Sequence, residues 1–350
     1  MHSLASQAVT RPSTETRAPA RPVARVAVAG ATGYAGQELV RLLARHPGVT
    51  LTAAMSSGTT TVPRPLPALA RIWDGTVVPL SVDRLAADAD VVLLALPDAA
   101  AAEIAPRLLD AGRRVIDLSG AFRLRDEAAR QRWYPETRPS HDKAAYGLTE
   151  LHRAEVRAAR LVANPGCYPT AALLALQPLA AAGLLAGDIV IDAKSGVSGA
   201  GKTPSERTHF SEIHGSVAAY GVFDHRHAAE IDQALGCTVT FVPHLVPLDR
   251  GILSTVYTRL RPGATEDQLA TALGDAYADA PFERLVGHAL PEIKHVAHTN
   301  FCDIGWRVDG PTGRAVLVTS LDNLVKGAAG QAVQNLNVML GLDERLGILA

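Results

Sequence analysis

Apolar positions in the first third of the chain alternate between short β-prone runs and helical periods. Residues 25–29 form a strand-like run, and residues 37–43 follow with the 3.6-residue period of a helix. Residues 49–55, 90–97 and 114–119 form further strand-like runs, and the second is continuously apolar, as in a sheet buried on both faces. This alternation predicts an α/β fold with a doubly wound parallel sheet.

The pattern changes in the second half, where the strand-like runs lie further apart. These runs are residues 189–193, 238–242, 251–257 and 315–320. Their spacing predicts an α+β domain on a mostly antiparallel sheet. Residues 323–340 then carry an apolar stripe with helical period, which predicts a closing helix. The stripe consists of Val325, Ala329, Val333, Leu336 and Leu340.

A glycine-rich turn joins the first strand to the first helix. It is Gly30-Ala-Thr-Gly-Tyr-Ala-Gly36, and its glycines allow a tight turn, close approach of a pyrophosphate and close helix packing. The order of strand, turn and helix predicts a dinucleotide site, with an ordinary glycine-rich loop as the alternative. The predicted contact residues are Gly30, Thr32, Gly33, Tyr34 and Gly36.

The end of the second predicted strand indicates which dinucleotide binds. Ser56 and Ser57 stand where a site that prefers NAD usually carries an acidic residue. Neither serine carries a negative charge that would repel a 2′-phosphate, so the sequence favours NADP. This argument is permissive, because no arginine follows at once; Arg64 and Arg71 lie further on.

One cysteine stands on a Pro-Gly turn directly before an apolar helical run. The segment is Asn164-Pro-Gly-Cys-Tyr-Pro-Thr170, and it places Cys167 at the predicted helix start. Unpaired N–H groups and the positive end of the helix dipole favour the thiolate, which is the reactive form. We therefore expect Cys167 to be a covalent nucleophile. The alternative is a small buried core residue.

A histidine cluster at residues 225–231 offers a general acid and base. His227 and Glu230 are one helical turn apart, so we expect the Glu230 carboxylate to orient the His227 imidazole. A metal site that includes His225 is disfavoured, because no zinc-type spacing is present and Arg226 adds positive charge. A solvated helix start is the remaining alternative.

A loop rich in Gly, Ser and Lys covers residues 194–202 and follows a predicted strand. Such a loop can cradle an anion with backbone N–H groups. Residues 196–203 also fit the P-loop pattern, but Pro204 stands where the P-loop helix should continue. We therefore discount an ATPase.

Composition narrows the class of protein. The net charge of −1 lacks the basic excess of a general nucleic-acid binder, and no apolar run approaches the ~20 residues of a membrane span. The cysteines at 167, 237 and 302 are far apart, which indicates a reducing compartment, and we expect the cytoplasm. Residues 1–22 are rich in Ser, Thr, Pro, Arg and Ala. We expect a disordered tail there, with a transit peptide as the alternative.

Several segments together resemble the N-acetyl-gamma-glutamyl-phosphate reductase family, within the wider aspartate-semialdehyde dehydrogenase-like group. In family order they are 30–39, 117–123, 146–151, 164–170, 194–201, 225–231, 243–247, 250–253 and 322–330. One departure is Pro97-Asp98-Ala99, where the family often carries Pro-His-Gly.

The resemblance implies a Rossmann domain at 23–165, a catalytic and oligomerisation domain at 166–321, and a C-terminal segment at 322–350 that returns to the first domain. It implies NADPH-dependent reduction of N-acetyl-L-glutamyl 5-phosphate to the semialdehyde through a cysteine thioester, in arginine biosynthesis. The implied catalytic residues are Cys167, His227 and Glu230, without a metal.

The same resemblance adds contacts to both ligands. It adds Pro97, Ser198, Gly199 and Asn323 to the cofactor site, and it places Arg123, Asn164, Lys202 and Arg226 at the substrate. We expect a homodimer or homotetramer without nucleic-acid or membrane partners. A reductase of aspartyl or aminoadipyl phosphate and an NADP-sensing regulator are the alternatives.

Overall fold

The computed structural model describes residues 19, 21–58, 62–137 and 143–349. The predicted tail of residues 1–22 lies outside the described residues, except for 19, 21 and 22.

The first half of the chain forms a parallel sheet with helices between its strands. Its elements are β1 (Ala24–Ala29), α1 (Tyr34–Leu43), β2 (Val49–Met55), α2 (Val82–Asp88), β3 (Val91–Leu94), α3 (Asp98–Asp110), β4 (Arg114–Asp117), α4 (Glu127–Trp133), β5 (Ala145–Tyr146), α5 (Thr149–Ala158) and β6 (Leu161–Ala163). Within the described residues the strand order is β2-β1-β3-β4-β6-β5, and every neighbouring pair is parallel. The predicted doubly wound parallel sheet is confirmed.

The strand order reverses between β1 and β3, which are neighbours in the sheet. The carboxyl end of β1 leads into the glycine turn, and that of β3 leads into residues 95–98 at the start of α3. A crevice opens at such a switch point in a doubly wound sheet, and ligands bind there.

The second half forms a mixed sheet whose strands contact the helices Cys167–Ala181 and Glu266–Ala276. Its elements are α6 (Cys167–Ala181), β7 (Leu185–Gly196), α7 (Phe210–Ile213), β8 (Ala218–Ala219), α8 (Arg226–Leu235), β9 (Thr240–Val246), β10 (Ile252–Leu260), α9 (Glu266–Ala276), β11 (Glu283–Gly287), β12 (Cys302–Asp309), β13 (Arg314–Leu321) and α10 (Gly330–Leu340). The order among the described strands is β11-β12-β13-β10-β7-β9-β8. Among the described strands of this sheet, β11/β12 and β7/β9 pair in parallel and the other four pairs are antiparallel, so the predicted mostly antiparallel sheet is confirmed.

Helix α6 is buried on almost every side and anchors the second sheet. It packs against α8, α9, β10 and β13. Pro178 lies inside it and has no N–H, so the Leu174 carbonyl lacks its helical partner. The Tyr277 hydroxyl donates to that carbonyl at 2.5 Å, which lets the proline stay within a buried helix.

The C-terminal segment runs from the second sheet back to the first. A π-helical turn at Val325–Ala329 precedes α10, which packs against α1 and α5. The predicted helix at 323–340 is therefore present, but it starts with a wider turn. None of the helices in the described ranges has the length and apolar character needed to cross a membrane.

Candidate active site

A pocket of about 640 Å³ lies where the switch point of the first sheet meets the start of α6. It brings together most of the predicted site residues from distant parts of the chain. Those that line it are Gly33, Tyr34, Gly36, Pro97, Arg123, Asn164, Cys167, Ser198, Gly199, Lys202, Arg226, His227 and Asn323. Of the remaining predicted residues, Gly30 and Thr32 lie in the glycine turn, Ser56 and Ser57 lie beyond β2, and Glu230 lies buried on α8.

Two glycines make the nucleotide turn sterically possible. Gly30 has φ +89°, and a Cβ there would lie 2.1 Å from the Ala95 carbonyl oxygen. A Cβ on Gly36 would lie 2.1 Å from the Gly30 carbonyl oxygen. The turn therefore packs tightly on the neighbouring strand and leaves a cradle without side chains, which fits a dinucleotide pyrophosphate.

The two serines beyond β2 have different environments. Ser56 is buried, and its hydroxyl donates to the Gly58 carbonyl at 2.7 Å. Ser57 is exposed. Neither residue brings negative charge to this edge.

Cys167 is the first residue of α6, as the sequence predicts. Gly166 caps the helix, and a Cβ there would lie 2.5 Å from the His227 Nε2 atom. A Cβ on Gly327, in the π-helical turn, would lie 2.7 Å from the Cys167 Cβ. Glycines on both sides therefore let the imidazole and the C-terminal segment approach the thiol closely.

Burial opposes the thiolate form that the sequence predicts for Cys167. Burial raises the pKa of the Cys167 thiol to about 11, although Arg123 and the Tyr168 N–H oppose that rise. Part of the side chain still faces the pocket. The helix start acts in the predicted direction, but the loss of solvent around the sulfur outweighs it. Another group must therefore take the thiol proton.

His227 lies beside the turn that carries Cys167 and is the candidate proton acceptor, although the burial that keeps its ring neutral also makes it a weaker base. Burial holds the pKa of His227 well below its ordinary value, and His225 and the charged Arg123 and Arg226 lower it further. Its Nδ1 atom is buried and has no hydrogen-bond partner among the described residues. The ring is therefore neutral near pH 7, with its Nε2 beside Gly166.

Glu230 does not contact the imidazole as predicted. Its carboxylate accepts hydrogen bonds from the Tyr146 hydroxyl at 2.7 Å and from the Gly166 N–H at 2.9 Å. It also lies 3.4 Å from the Arg123 Nη1. The one-turn spacing is present, but the side chain turns inward toward three other elements. Glu230 therefore supports the turn before Cys167.

Arg123 is buried, with 8% of its surface exposed, so it is not a surface arginine. Its Nε donates to the Asn164 carbonyl at 2.8 Å, and its Nη2 donates to the Leu118 carbonyl at 2.7 Å. Its Nη1 lies between His227 and Glu230 at 3.5 and 3.4 Å. Most of its donors are thus committed within the protein, which limits it as a phosphate-binding group.

His225 has a structural position at the start of α8. Its Nδ1 accepts a hydrogen bond from the His227 backbone N–H at 3.1 Å and so caps the helix. Burial, followed by Arg226, lowers the pKa of His225 to about 4. No group of three or more His, Cys, Asp or Glu side chains in the described part of the chain could hold a metal ion.

Two further predicted residues lie on the cofactor side of the pocket. The Lys202 Nζ donates to the Thr32 carbonyl at 2.9 Å and lies 5.4 Å from the centre of the Tyr34 ring. The Asn323 side chain donates to the Ser198 hydroxyl at 3.0 Å. Lys202 therefore contacts the glycine turn, although the sequence predicted a substrate contact.

The Asn164 side chain is held by hydrogen bonds within the protein. Its Oδ1 accepts from the Asn335 amide at 3.0 Å, and its Nδ2 donates to the Ala328 carbonyl at 3.2 Å. Sequence reasoning missed Tyr146, Asp98 and Asn335. Tyr146 begins a segment that the resemblance matched, and Asp98 stands where the sequence departs from the family pattern, whereas Asn335 carried no signal.

Comparison with known proteins follows the same division of the chain. Residues 25–159 match the family model "Semialdehyde dehydrogenase, NAD binding domain", and residues 167–323 match "Semialdehyde dehydrogenase, dimerisation domain". The chain is 47% identical over 337 residues to the N-acetyl-gamma-glutamyl-phosphate reductase of Syntrophobacter fumaroxidans, covering 93% of this chain and 97% of that protein. It is 45% identical over 337 residues to the reductase of the same name from Geobacter sulfurreducens, with the same coverage of 93% and 97%.

Solved structures show the same fold at lower identity. The chain is similar to aspartate semialdehyde dehydrogenase II from Vibrio cholerae, with a TM-score of 0.68, 20% identity and coverage of 91% of this chain and 98% of that one. It is also similar to the Candida albicans aspartate semialdehyde dehydrogenase solved with NADP, with a TM-score of 0.65, 16% identity and coverage of 93% and 99%.

Proposed function

The chain belongs to the N-acetyl-gamma-glutamyl-phosphate reductase family, and from this premise we propose that it reduces N-acetyl-L-glutamyl 5-phosphate to N-acetyl-L-glutamate 5-semialdehyde in arginine biosynthesis. It is an oxidoreductase of the semialdehyde dehydrogenase type with an NAD(P)-binding domain. One observation supports the chemistry most: Cys167, His227 and the glycine turn face the same pocket.

The proposed first step is attack of the Cys167 sulfur on the acyl carbon. Neutral His227 takes the thiol proton, which burial otherwise holds on the sulfur. The new C–S bond forms as the carbonyl electron pair moves onto oxygen, and collapse of this oxyanion breaks the C–O bond so that phosphate leaves with its electron pair. Backbone N–H groups at the start of α6 stabilise the oxyanion formed on the way. The product of this step is a thioester on Cys167.

The glycine turn, Pro97, Ser198, Gly199 and Asn323 would hold NADPH, which would supply the hydride for reduction of the thioester. The resulting thiohemiacetal collapses by breaking its C–S bond. Protonated His227 returns its proton to the departing sulfur, which restores the thiol and releases the semialdehyde. Arg226 and Arg123 supply positive charge for the phosphoryl group, and Glu230 holds the Gly166 turn beneath the reaction.

NADP is our choice over NAD. The edge beyond β2 carries Ser56 and Ser57 without an acidic side chain, so nothing there repels a 2′-phosphate. The Lys202 ammonium beside Thr32 adds positive charge near the nucleotide phosphates.

The assembly that we propose is a homodimer or homotetramer built on residues 166–321, supported by the match to a dimerisation model. Residues 23–165 would form the cofactor domain. Residues 322–350 would complete it, because α10 packs against α1 and α5. The cytoplasm is the proposed location, because a nucleophilic thiol needs a reducing compartment.

The reverse reaction tests the function directly. The enzyme is given N-acetylglutamate semialdehyde, inorganic phosphate and NADP, and NADPH formation is followed. Turnover should need phosphate and should exceed that with aspartate semialdehyde. Preference for aspartate semialdehyde would assign the enzyme to the related acyl phosphate, and equal use of NAD would contradict the cofactor choice. Specific NADP binding without turnover of either aldehyde would favour the regulator.

A further inference from the structure

An ion pair joins the two halves of the molecule across the pocket. Asp98 is the first residue of α3, on the first sheet, and Arg226 is the first residue of α8, beside the second. The Arg226 Nη1 donates to the Asp98 Oδ2 at 2.6 Å, and the Gly120 N–H donates to the Oδ1 at 2.7 Å. Asp98 and Arg226 both line the pocket that contains Cys167.

Arg226 retains free donor capacity, unlike Arg123. Its side chain is 52% exposed, and within the described part of the chain its guanidinium donates to Asp98. Its guanidinium lies 5.6 Å from the centre of the Tyr134 ring, which sets its plane at the pocket edge. A guanidinium held in this way can bind a phosphoryl group through two parallel hydrogen bonds.

Tyr134, whose ring lies near the Arg226 guanidinium, is itself buried behind the pocket wall. Tyr134 is 3% exposed, and its hydroxyl has no hydrogen-bond partner among the described residues. A Cβ on Gly120 would lie 2.5 Å from that hydroxyl oxygen, so the hydroxyl lies against the residue that binds Asp98. A buried hydroxyl without a partner is costly and needs an explanation.

We propose that Asp98 positions Arg226 and competes with the phosphoryl group for its guanidinium. The inference rests on the proposed function, because the phosphoryl group is that of the acyl phosphate and of the phosphate released from it. In the free enzyme Asp98 holds Arg226 at the pocket edge. A phosphoryl group displaces the carboxylate because it carries more charge and more acceptor oxygens. Once phosphate has left the acyl carbon and the thioester has formed, Asp98 takes Arg226 back and weakens phosphate retention.

Asp98 also stands at a position where this chain differs from the family pattern. The family pattern often has a histidine at the same place in the turn, which would not compete for a guanidinium as an anion. A negatively charged side chain that neutralises the phosphoryl-binding arginine is therefore an added feature.

Asp98→Asn tests the competition. The asparagine keeps a carbonyl acceptor for the Gly120 N–H but removes the charge. Glu103→Gln is the matched control, because it removes one carboxylate from the exposed side of the same helix. The measurement is protection of Cys167 from iodoacetamide by inorganic phosphate, which gives an apparent Kd without turnover. Asp98→Asn should lower this Kd about fivefold, the size of one partly exposed charge interaction. Glu103→Gln should not change it.

A double variant tests whether Asp98 acts through Arg226. In an Arg226→Gln background, adding Asp98→Asn should leave the phosphate Kd unchanged. In the reverse reaction, Asp98→Asn should lower the KM for phosphate and leave the KM for the semialdehyde unchanged. If Asp98→Asn does not fold, Asp98→Ser gives the same comparison.

The inference is overturned if Asp98→Asn leaves the phosphate Kd unchanged or raises it, or if its effect persists without Arg226. Failure of the proposed function looks different, because N-acetylglutamate semialdehyde would then not be oxidised by the unmodified enzyme. Phosphate protection of Cys167 would still report on Asp98.

Discussion

At the scale of single residues, the reactivity of Cys167 depends on burial and on neighbouring polar groups, which shift the pKa of its thiol in opposite directions. Burial raises the pKa of its thiol to about 11, while the Arg123 charge and the Tyr168 N–H lower it. Alkylation of the free enzyme should therefore speed up about tenfold per pH unit from pH 7 to 9, since only the thiolate reacts. The measurement is the iodoacetamide rate at Cys167 against pH, and a plateau near pH 7 would contradict it.

Cys167→Ala should abolish turnover, whereas Cys237→Ala should retain it.

His227 and His225 are adjacent in the site, but their substitution should have different effects on kcat. His227→Asn removes the proton acceptor beside Gly166 and should lower kcat by about 10²–10⁴-fold. His225→Asn should have little effect, because asparagine is a strong helix cap and can replace the Nδ1 acceptor. Steady-state kinetics of both variants, with cofactor KM as a folding control, make the comparison. A larger loss from His225→Asn would exchange the two roles.

The sequence predicted the identity of these groups better than their partners. Cys167 could be placed at a helix start because Pro165 and Gly166 precede an apolar run. The partners of Glu230 could not be predicted, because helical spacing does not show which other elements approach. Tyr146, Arg123 and Gly166 come from three separate places in the chain. The pKa of Cys167 was missed for the same reason, because burial depends on the whole pocket.

At the scale of elements, the turn before α6 depends on a glycine. A Cβ on Gly166 would lie 2.5 Å from the His227 Nε2, so Gly166→Ala must displace the imidazole or the turn. We expect a loss in kcat of about 10²-fold, typical of a catalytic group displaced by about 1 Å. Gly274→Ala is the matched control, because it lies in α9 with nothing within 4 Å of its Cβ position. It should stabilise the protein slightly. Equal activity in both variants would show that the close approach is unimportant.

Elements with a clear apolar run or helical period could be predicted whatever their length, and the others could not. The strand β12 has eight residues and was missed, whereas β3 and β4 have four residues each and were predicted. The predicted runs correspond to β1, β2, β3, β4, β7, β9, β10 and β13. The strands β5 and β6 have two and three residues, which is too short for any periodic signal. The π-helical turn before α10 keeps the apolar stripe of a regular helix, so its wider geometry leaves no trace in the pattern.

At the scale of the whole molecule, a buried charge cluster joins the two sheets behind the pocket. Lys326, in the π-helical turn, lies 2.5 Å from a Glu150 oxygen on α5 and 3.0 Å from a Glu283 oxygen on β11. All three side chains are fully buried. Burial and the nearby Glu150 charge raise the pKa of Glu283 to about 8, while the Lys326 ammonium favours the ionised form of Glu150. One cation thus serves two carboxyl groups, and one of them keeps its proton near pH 7.

This cluster predicts a pH dependence of stability with a definite sign. The pKa of Glu283 is raised in the folded protein, so its contribution is complete below the unfolded value of 4.5 and is lost as the pH rises toward 8. Glu283→Gln cannot lose a proton. The free energy of unfolding of this variant should therefore increase relative to the native enzyme between pH 5 and 8, by at most about 1.4 kcal/mol per pH unit.

Denaturant unfolding of both proteins across that range measures the difference. Glu103→Gln, on the exposed side of α3, should show no such trend. A difference that stays constant with pH would mean that Glu283 is ionised throughout, with Lys326 neutralising two carboxylates at once. A difference that falls with pH would mean that Lys326 stabilises the ionised Glu283 carboxylate more than burial destabilises it. The cluster would then stabilise the contact between the two sheets more at high pH.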